Sequence, residues 1–369
     1  GFPEKDNPIT IKLSDKKLHY KLLFYPDLYL GEAYADGTLK IENSDLTEFL
    51  DLALKNLGRN KTNIFSQLLN KFQGSYRYLT NFNFIKKSKM NVSHHYDISD
   101  DLYDLFLDSK RQYSCAYFNN ENDSLEVAQN NKINHIIKKL NLKSNEKVLD
   151  IGSGWGSLAI EIAKKSKCEV TGITLSKNQF DYSIKKAKEL KMDNQVNFEL
   201  CDYRHIEGKF DRIVSVGAFE HFGKKFYGTF FKKIKDLIND EGIILLHTIG
   251  SVDPPGSITP FIQKYVFKGG IVPSMSDIVS SIEKSGLVIS DIESLIHHYD
   301  KTLKAWLDRF LNGKRQARQL YDDKFVRMWE FYLASCSSTF KFRDLVVYQL
   351  QLVKDFKAIP SNRRDYIYS

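Results

Sequence analysis

The spacing of apolar and polar positions changes along the 369 residues of the chain, which indicates two domains. Residues 9–29 mix apolar and charged side chains in short alternating pieces, whereas 46–57 and 64–72 carry apolar side chains at helical spacing. These segments end before a short basic stretch near residue 88. We therefore predict a small N-terminal domain, α+β or helical, over residues 1–88 and a second domain over residues 89–369.

The second domain has a different rhythm, because strand-like apolar runs alternate there with helical segments. The predicted strands are 147–151, 169–175, 196–200, 210–216 and 242–248. Such alternation is typical of βαβ units and predicts an α/β fold with a doubly wound parallel sheet, covered by helices on both faces. Near the end of the chain, apolar residues recur at spacings of 3 and 4 over 325–340, which predicts one long amphipathic helix.

Composition excludes several classes of protein. Apolar residues make up 42% of the chain, enough to bury a core and too many for a disordered or collagen-like chain. No apolar run approaches the roughly 18 residues that a membrane span needs, and the first residues lack the apolar run of a secretory signal. The 4 cysteines lie far apart with no C-x-x-C pair, so we expect free thiols, no metal site and a cytoplasmic protein.

Positive charge is concentrated near the C-terminus. The net charge is +8, and residues 301–369 contain 14 Lys and Arg against 7 Asp and Glu. Such a surface can face the phosphates of nucleic acid or of anionic lipid, or it can be an ordinary solvated helical surface. Residues 253–256, Asp-Pro-Pro-Gly, superficially resemble a motif of nucleic-acid methyltransferases, but they follow the fifth predicted strand and end in a glycine that cannot stack on a flipped base. We therefore expect no nucleic-acid partner.

A glycine-rich turn follows the first predicted strand. Gly152, Gly154 and Gly156 let the backbone turn tightly and approach a ligand, although a purely structural turn is the alternative interpretation. The third glycine comes one residue too early for the dinucleotide fingerprint. The spacing Asp150-x-Gly-x-Gly-x-Gly instead resembles the first motif of class I S-adenosylmethionine (SAM) methyltransferases. Many of these enzymes carry an acid at the end of the second strand, where this chain has Thr174, and we predict that Gln179 takes its role toward the ribose.

Further motifs lie at the ends of the predicted strands and in the tail. They are His94-His95-Tyr96-Asp97, Tyr113-Ser114-Cys115-Ala116, Gly217-Ala218-Phe219-Glu220-His221, Leu246-His247-Thr248-Ile249, His298-Tyr299-Asp300 and Tyr332-Leu333-Ala334-Ser335-Cys336. Over about residues 90–345 this set resembles the cyclopropane fatty acid synthases and their mycolic acid relatives. Residues 30–37, Leu-Gly-Glu-Ala-Tyr-Ala-Asp-Gly, resemble the N-terminal domain of the phospholipid-acting members, which mycolic acid enzymes generally lack. The resemblance implies a seven-stranded class I SAM-methyltransferase (Rossmann-like) fold.

Reaction chemistry explains the types of residue in these motifs. An alkene is a poor nucleophile, so its methylation leaves a carbocation-like centre that demands a dry site without strong nucleophiles. Ring closure then needs a base, and Glu220 and His247 can serve directly or hold a small base between them. Glu220 can instead be a helix-capping acid and His247 a satisfied core histidine. For Cys336 we expect a buried structural thiol rather than a nucleophile.

The resemblance also implies a set of site residues. It implies that a bicarbonate ion acts as the base, held by Glu220, His247, Tyr299 and the backbones of Cys115 and Ile249. It implies that SAM contacts Tyr96, Tyr113, Ser114, Gly152, Gly154, Thr174, Leu175, Gln179, Asp202 and Tyr203. We expect some of the aromatic residues near these motifs to line an acyl channel. They are Phe219, Phe222, Tyr265, Phe267, Trp306, Trp329, Phe331, Tyr332 and Phe340.

We therefore expect an enzyme that transfers a methylene from SAM to the cis double bond of an unsaturated phospholipid acyl chain. The basic cluster Lys314, Arg315 and Arg318 is the candidate contact with the inner face of a membrane, where we expect peripheral association. The resemblance also implies a homodimer. The alternatives are another SAM-dependent methyltransferase acting on a lipid, small molecule or nucleic acid, and a noncatalytic protein that binds lipid surfaces.

Overall fold

A computed structural model describes residues 8–58, 98–256 and 258–368 of the chain. The helix predicted over 64–72, the domain boundary predicted near residue 88 and Tyr96 lie outside these residues. The boundary therefore stays a prediction. We call residues 8–58 the N-terminal module.

Strands and helices alternate in the N-terminal module, which is α+β. Strands β1 (Thr10–Leu13) and β2 (Leu39–Glu42) pair antiparallel. Between them lie α1 (Lys17–Phe24) and α2 (Pro26–Ala35), and α3 (Leu46–Leu57) follows. Helix α3 coincides with the helix predicted over 46–57, and the Asp45 side chain caps it by accepting a hydrogen bond from the Glu48 amide.

A seven-stranded sheet forms the centre of the second part, in the order β5-β4-β3-β6-β7-β9-β8. The strands are β3 (Lys147–Ile151), β4 (Glu169–Thr174), β5 (Val196–Leu200), β6 (Phe210–Val216), β7 (Ile238–Ser251), β8 (Val288–Leu295) and β9 (Leu345–Val353). Strands β3 to β7 are parallel, and β9 runs antiparallel between β7 and β8. All five strands expected from the sequence are confirmed, with β7 extended at both ends. The sheet is thus a doubly wound, Rossmann-like sheet of seven strands, as the resemblance implies.

Helices cover both faces of the sheet, as the alternation of buried side chains along the strands requires. Leu149 and Ile151 of β3 face one core with Ile234, whereas Val148 faces the opposite core with Ile136. The helices of this part are α4 (Asp100–Phe106), α5 (Leu125–Leu140), α6 (Ser157–Ser166), α7 (Lys177–Glu189), α8 (Tyr227–Leu237), α9 (Pro260–Tyr265), α10 (Met275–Ser285), α11 (His298–Asn312), α12 (Lys314–Leu320), α13 (Asp323–Phe342) and α14 (Asp365–Tyr368). Among the described helices, none is long and apolar enough to span a bilayer.

A third core lies over the carboxyl ends of the parallel strands. Helix α13, which confirms the long helix predicted over 325–340, contributes Trp329 and Leu333, and α11 contributes Trp306. Leu46 and Leu50 of the N-terminal module belong to the same core, since α2 and α3 pack against α13. The N-terminal module therefore shares apolar contacts with the helices that cover the sheet edge where ligands bind in such folds.

Candidate active site

Three glycines shape the turn after β3, each for a different reason. All three have positive φ, +83° at Gly152, +56° at Gly154 and +81° at Gly156. A Cβ on Gly152 would lie 2.5 Å from the Ala218 Cβ, and one on Gly156 would lie 2.6 Å from the Phe198 ring. A Cβ on Gly154 would meet no atom within 4 Å and would project into open space. Gly154 is thus the position where the backbone is left bare toward a ligand.

A polar pocket opens beside this turn and contains every described residue that was expected to contact SAM. They are Tyr113, Ser114, Gly152, Gly154, Thr174, Leu175, Gln179, Asp202 and Tyr203. The Thr174 hydroxyl donates to Gln179 Oε1 at 3.0 Å, so the residue at the end of β4 and its predicted substitute form one unit. Burial raises the pKa of Asp202, but hydrogen bonds from Arg204 outweigh it and hold that pKa below its usual value. A carboxylate therefore faces the pocket.

Two residues of α5 that the sequence analysis missed fix the loop that carries Tyr113 and Ser114. Lys132 Nζ donates to Ser114 Oγ at 2.7 Å, and Gln129 Nε2 donates to the Ser114 carbonyl at 3.0 Å. Burial lowers the pKa of Lys132 to about 8 and raises that of Asp150 to about 7. The sequence contained one clue to this role, a Gln and a Lys three residues apart among the apolar positions that α5 buries.

A larger apolar cavity of about 370 Å³ lies next to the polar pocket. The two share Tyr113, Ser114, Gly217 and His221 in their walls, so they meet at this junction. The N-terminal module supplies Pro26, Asp27, Leu30, Leu50, Ala53, Leu54 and Leu57 to the wall of the cavity. Of the aromatic residues expected along an acyl channel, Phe267, Phe331 and Phe340 line the cavity. Phe222 lines the polar pocket instead, and Trp306 and Trp329 lie in the third core.

Glu220 lies in the wall of the apolar cavity, on the short 3-10 helix Phe219–His221 that follows β6. Its Oε1 accepts a hydrogen bond of 2.5 Å from the Ile249 amide, while its buried Oε2 has no partner among the described residues. Burial raises the pKa of Glu220 to about 7, although hydrogen bonds to the carboxylate oppose the shift. Glu220 is therefore poised between its two protonation states near neutral pH, rather than acting as a helix-capping acid.

His247 and Tyr299 complete this part of the wall. Gln349 Nε2 of β9 lies 3.1 Å from His247 Nδ1, so the amide donates and Nδ1 accepts, which places the imidazole proton on Nε2. Burial lowers the pKa of His247 well below its usual value and raises that of Tyr299, so both side chains are neutral. Gln349 was not expected from the sequence. The clue in the sequence was a glutamine within a nearly continuous apolar run, since a buried polar side chain needs a hydrogen-bond partner.

Comparison with known proteins identifies the family of the chain. A family model described as Mycolic acid cyclopropane synthetase matches residues 84–350. The chain is 37% identical over 347 residues to the cyclopropane-fatty-acyl-phospholipid synthase of Escherichia coli (strain K12), with 93% of this chain and 87% of that protein covered.

This chain belongs to the mycolic acid cyclopropane synthetase family.

Solved structures of cyclopropane synthases have the same fold. The cyclopropane synthase MmaA2 from Mycobacterium tuberculosis has a TM-score of 0.69 at 32% identity, covering 72% of this chain and 97% of that one. Mycolic acid cyclopropane synthase CmaA1, complexed with SAH and CTAB, has a TM-score of 0.68 at 33% identity with the same coverage. The chain is thus a SAM-dependent methyltransferase of the cyclopropane synthase type.

Two cysteines that line the apolar cavity keep protonated thiols. Cys115 is buried, and burial raises the pKa of its thiol. Cys336, for which we expected a buried structural thiol, is half-buried on α13, where it packs against the third core and also lines the apolar cavity. Burial raises the pKa of the Cys336 thiol to about 12, so it remains protonated at neutral pH.

Proposed function

We propose that the chain transfers a methylene from SAM to the cis double bond of an unsaturated phospholipid acyl chain, forming a cyclopropane ring. The observation that carries this proposal is the junction between the two cavities. A polar pocket with a bare glycine turn meets an apolar cavity at Gly217 and His221, and Glu220, His247 and Tyr299 lie in the wall of the apolar cavity. An acyl chain can reach the junction from one side and a polar cofactor from the other.

The N-terminal module favours a phospholipid over a mycolic acid as the substrate. Its helices α2 and α3 supply Leu30, Leu50 and Leu54 to the wall of the apolar cavity. The relative named as a phospholipid enzyme aligns with 93% of this chain, whereas the mycobacterial structures cover 72% of it at nearly their full length. The family model described as Mycolic acid cyclopropane synthetase begins at residue 84, so the N-terminal module, which lines part of the cavity, lies outside it.

The residues at the junction also fit a small anion such as bicarbonate. Tyr299 keeps its phenolic proton and His247 carries a proton on Nε2, so both are donors, and Glu220 with a pKa of about 7 can donate when protonated and accept when ionised. The buried Oε2 of Glu220, which has no partner among the described residues, is the atom that such a ligand would satisfy. We propose that these residues, with the backbones of Cys115 and Ile249, hold bicarbonate.

The chemistry is divided between the two ligands and the protein. SAM supplies an electrophilic methyl group when bound, and bicarbonate supplies a base for the proton that ring closure releases. The chain orients both, and its apolar wall excludes water from the carbocation-like centre. The Cys336 thiol is protonated and the lone pair of His247 Nδ1 accepts a hydrogen bond from Gln349, so few strong nucleophiles remain to trap that centre. Glu220 and Tyr299 hold or release protons beside it.

Turnover with vesicles of a cis-monounsaturated phospholipid tests the proposal. Gas chromatography of the released fatty acids should show a product with one added methylene, only when SAM is present. A cyclopropane and a methyl-branched alkene have equal mass, so mild hydrogenation, which reduces only the alkene, separates them. An alkene product would favour a simple lipid methyltransferase, and no product would exclude both. In buffer freed of carbon dioxide, ring formation should fall and then recover when bicarbonate is added.

A further inference from the structure

Helix α1 of the N-terminal module presents an exposed face that is both apolar and basic. The side chains of Tyr20 and Leu23 are 71% and 61% exposed, although α1 buries Leu18 on its opposite side. Lys17 and Lys21 lie three residues before and one residue after Tyr20 and are also exposed. We call Lys17, Tyr20, Lys21 and Leu23 the α1 face. Large apolar side chains this exposed, flanked by lysines, are typical of surfaces that bind membranes.

Helix α1 is followed almost directly in the chain by residues that line the apolar cavity. Helix α1 ends at Phe24, and after a single residue the chain enters α2 with Pro26 and Asp27, which line the cavity. Leu57, at the end of α3, is 47% exposed and also lines the cavity. Helix α1 is therefore joined in the chain to the part of the module that lines the cavity, and one exposed apolar side chain, Leu57, belongs to the cavity wall itself.

The basic cluster proposed from the sequence is less suited to contact a membrane. Lys314 pairs with Glu330 at 2.6 Å and Arg318 pairs with Asp323 at 2.8 Å, so two of its three cations are already balanced and only the exposed Arg315 lacks a salt bridge to a described carboxylate. No described carboxylate forms a salt bridge with Lys17 or Lys21, although Asp15 accepts a hydrogen bond from the Lys17 amide. Lys21 Nζ lies 5.0 Å from the centre of the Tyr29 ring, a contact that leaves its charge unbalanced by any described carboxylate, so both lysines can attract lipid phosphates.

We propose that the α1 face docks on a phospholipid bilayer and places the apolar cavity against the acyl chains. This inference rests on the proposed function, because it identifies how a bilayer lipid reaches that cavity. Burial of Tyr20 and Leu23 in the headgroup boundary supplies the apolar part of the binding, and Lys17 and Lys21 add attraction to anionic lipid. A cavity that opens next to the docked helix lets an acyl chain enter without crossing water.

Vesicle sedimentation with point variants tests the docking. The vesicles consist of phosphatidylcholine, with and without phosphatidylglycerol. Leu23→Glu and Tyr20→Glu should each lower the partition coefficient about tenfold on both, because an apolar contact is replaced by a charge. Phe356→Glu is the matched control, since the Phe356 side chain is 72% exposed. Phe356 follows the end of β9, where Val353 pairs with Ile243 near the start of β7, so it lies at the amino ends of the parallel strands, away from the cavities at their carboxyl ends. This control should bind as the wild type does.

Two further measurements separate docking from folding and from catalysis. SAM affinity and turnover of detergent-dispersed phospholipid should be unchanged in Leu23→Glu, because Leu23 lines neither cavity. Lys17→Glu with Lys21→Glu should weaken binding to the anionic vesicles and leave binding to phosphatidylcholine nearly unchanged. Equal partition of Leu23→Glu, Phe356→Glu and the wild type would overturn the docking proposal. So would a loss of self-association by Leu23→Glu in lipid-free solution with normal vesicle binding, which would assign the face to a second copy. Wild-type protein that sediments with vesicles but forms no ring would contradict the proposed function instead.

Discussion

The polar pocket and the apolar cavity lie side by side, but they are built in different ways. The pocket is made mainly by short segments at the carboxyl ends of β3, β4 and β5, and its polar groups are held by neighbours such as the Thr174 and Gln179 pair. The cavity takes its wall from positions as far apart as Pro26 and Leu345. Local backbone geometry therefore defines the cofactor side, whereas packing between distant helices defines the lipid side.

This difference implies that the two sides can be damaged separately. A change in the glycine turn should affect the binding of SAM regardless of the lipid, and a change in α3 should affect the lipid without affecting SAM. Glu220 is connected to both sides. Its carboxylate lines the apolar cavity, and the short helix that carries it follows β6, next to Gly217, which lines both the cavity and the pocket. The predictions below test this separation.

The largest effect should come from Gly154→Val, which should abolish measurable SAM binding and hence turnover. Gly154 has φ of +56°, and a Cβ at this position would have no atom within 4 Å, so the new side chain would fill ligand space. Gly58→Val is the control, because Gly58 has φ of +60° and equally open surroundings. Both changes force a side chain onto a backbone with positive φ, and Gly58, with ψ of 175°, has a conformation that is essentially restricted to glycine. The control therefore carries backbone strain of its own, and only cofactor binding should separate the two variants in titration calorimetry. Unchanged SAM affinity in Gly154→Val would remove the turn from the cofactor site.

Glu220→Gln should lower ring formation by about 10²- to 10⁴-fold, because the amide cannot exchange a proton as the carboxyl does. SAM affinity should survive, since Glu220 lines the apolar cavity rather than the polar pocket. Glu241→Gln, an exposed position near the start of β7, is the matched control and should keep full activity. A Glu220→Gln enzyme with normal turnover would exclude a chemical role for this carboxyl.

The same substitution should change the pH dependence of stability. The pKa of Glu220 is raised to about 7 in the folded chain from a usual value of 4.5, so the folded state favours the protonated form. The resulting stabilisation is complete below the unfolded pKa and is lost as pH rises to the folded pKa. Between pH 4 and pH 8 the free energy of unfolding of Glu220→Gln should rise by about 2–3 kcal/mol relative to the wild type. Denaturant titrations at both pH values measure this, and parallel profiles would show that the carboxyl ionises freely.

A smaller effect is expected on the lipid side from Ala53→Phe, which adds a ring to the half-buried wall of the cavity. Crowding of the acyl chain should reduce phospholipid turnover about tenfold, in keeping with an overpacking cost of about 1–3 kcal/mol. SAM affinity should stay at the wild-type value. Ala53→Ser is the control, because it keeps the volume nearly unchanged and should retain activity. Loss of SAM binding in Ala53→Phe would show that the two cavities are coupled rather than separable.

Two strands of the sheet, β8 and β9, were not predicted from the apolar pattern of the sequence. The five parallel strands follow from their apolar runs, but β8 and β9 were not recognised individually, because β8 is only partly buried and β9 has Gln349 and Gln351 within its apolar run. Both glutamines are buried and hydrogen-bonded, Gln349 to His247 and Gln351 to the Lys139 carbonyl. A buried polar residue looks like a break in a strand until its partner, distant in the chain, is known.

The sequence by itself determined the α/β class, the glycine turn and the motifs that place the chain in its family. Those features depend on local spacing, on backbone conformations that favour glycine, and on the rule that ligands lie at the carboxyl ends of parallel strands. Only the tertiary structure decided which side chains share a cavity. It brought the N-terminal module onto α13, placed Cys336 in the cavity wall, and paired Lys314 with Glu330 while leaving Lys17 free of any described ion pair. These outcomes depend on contacts between residues far apart in the chain, and those contacts are fixed by the packing of whole helices rather than by any local pattern.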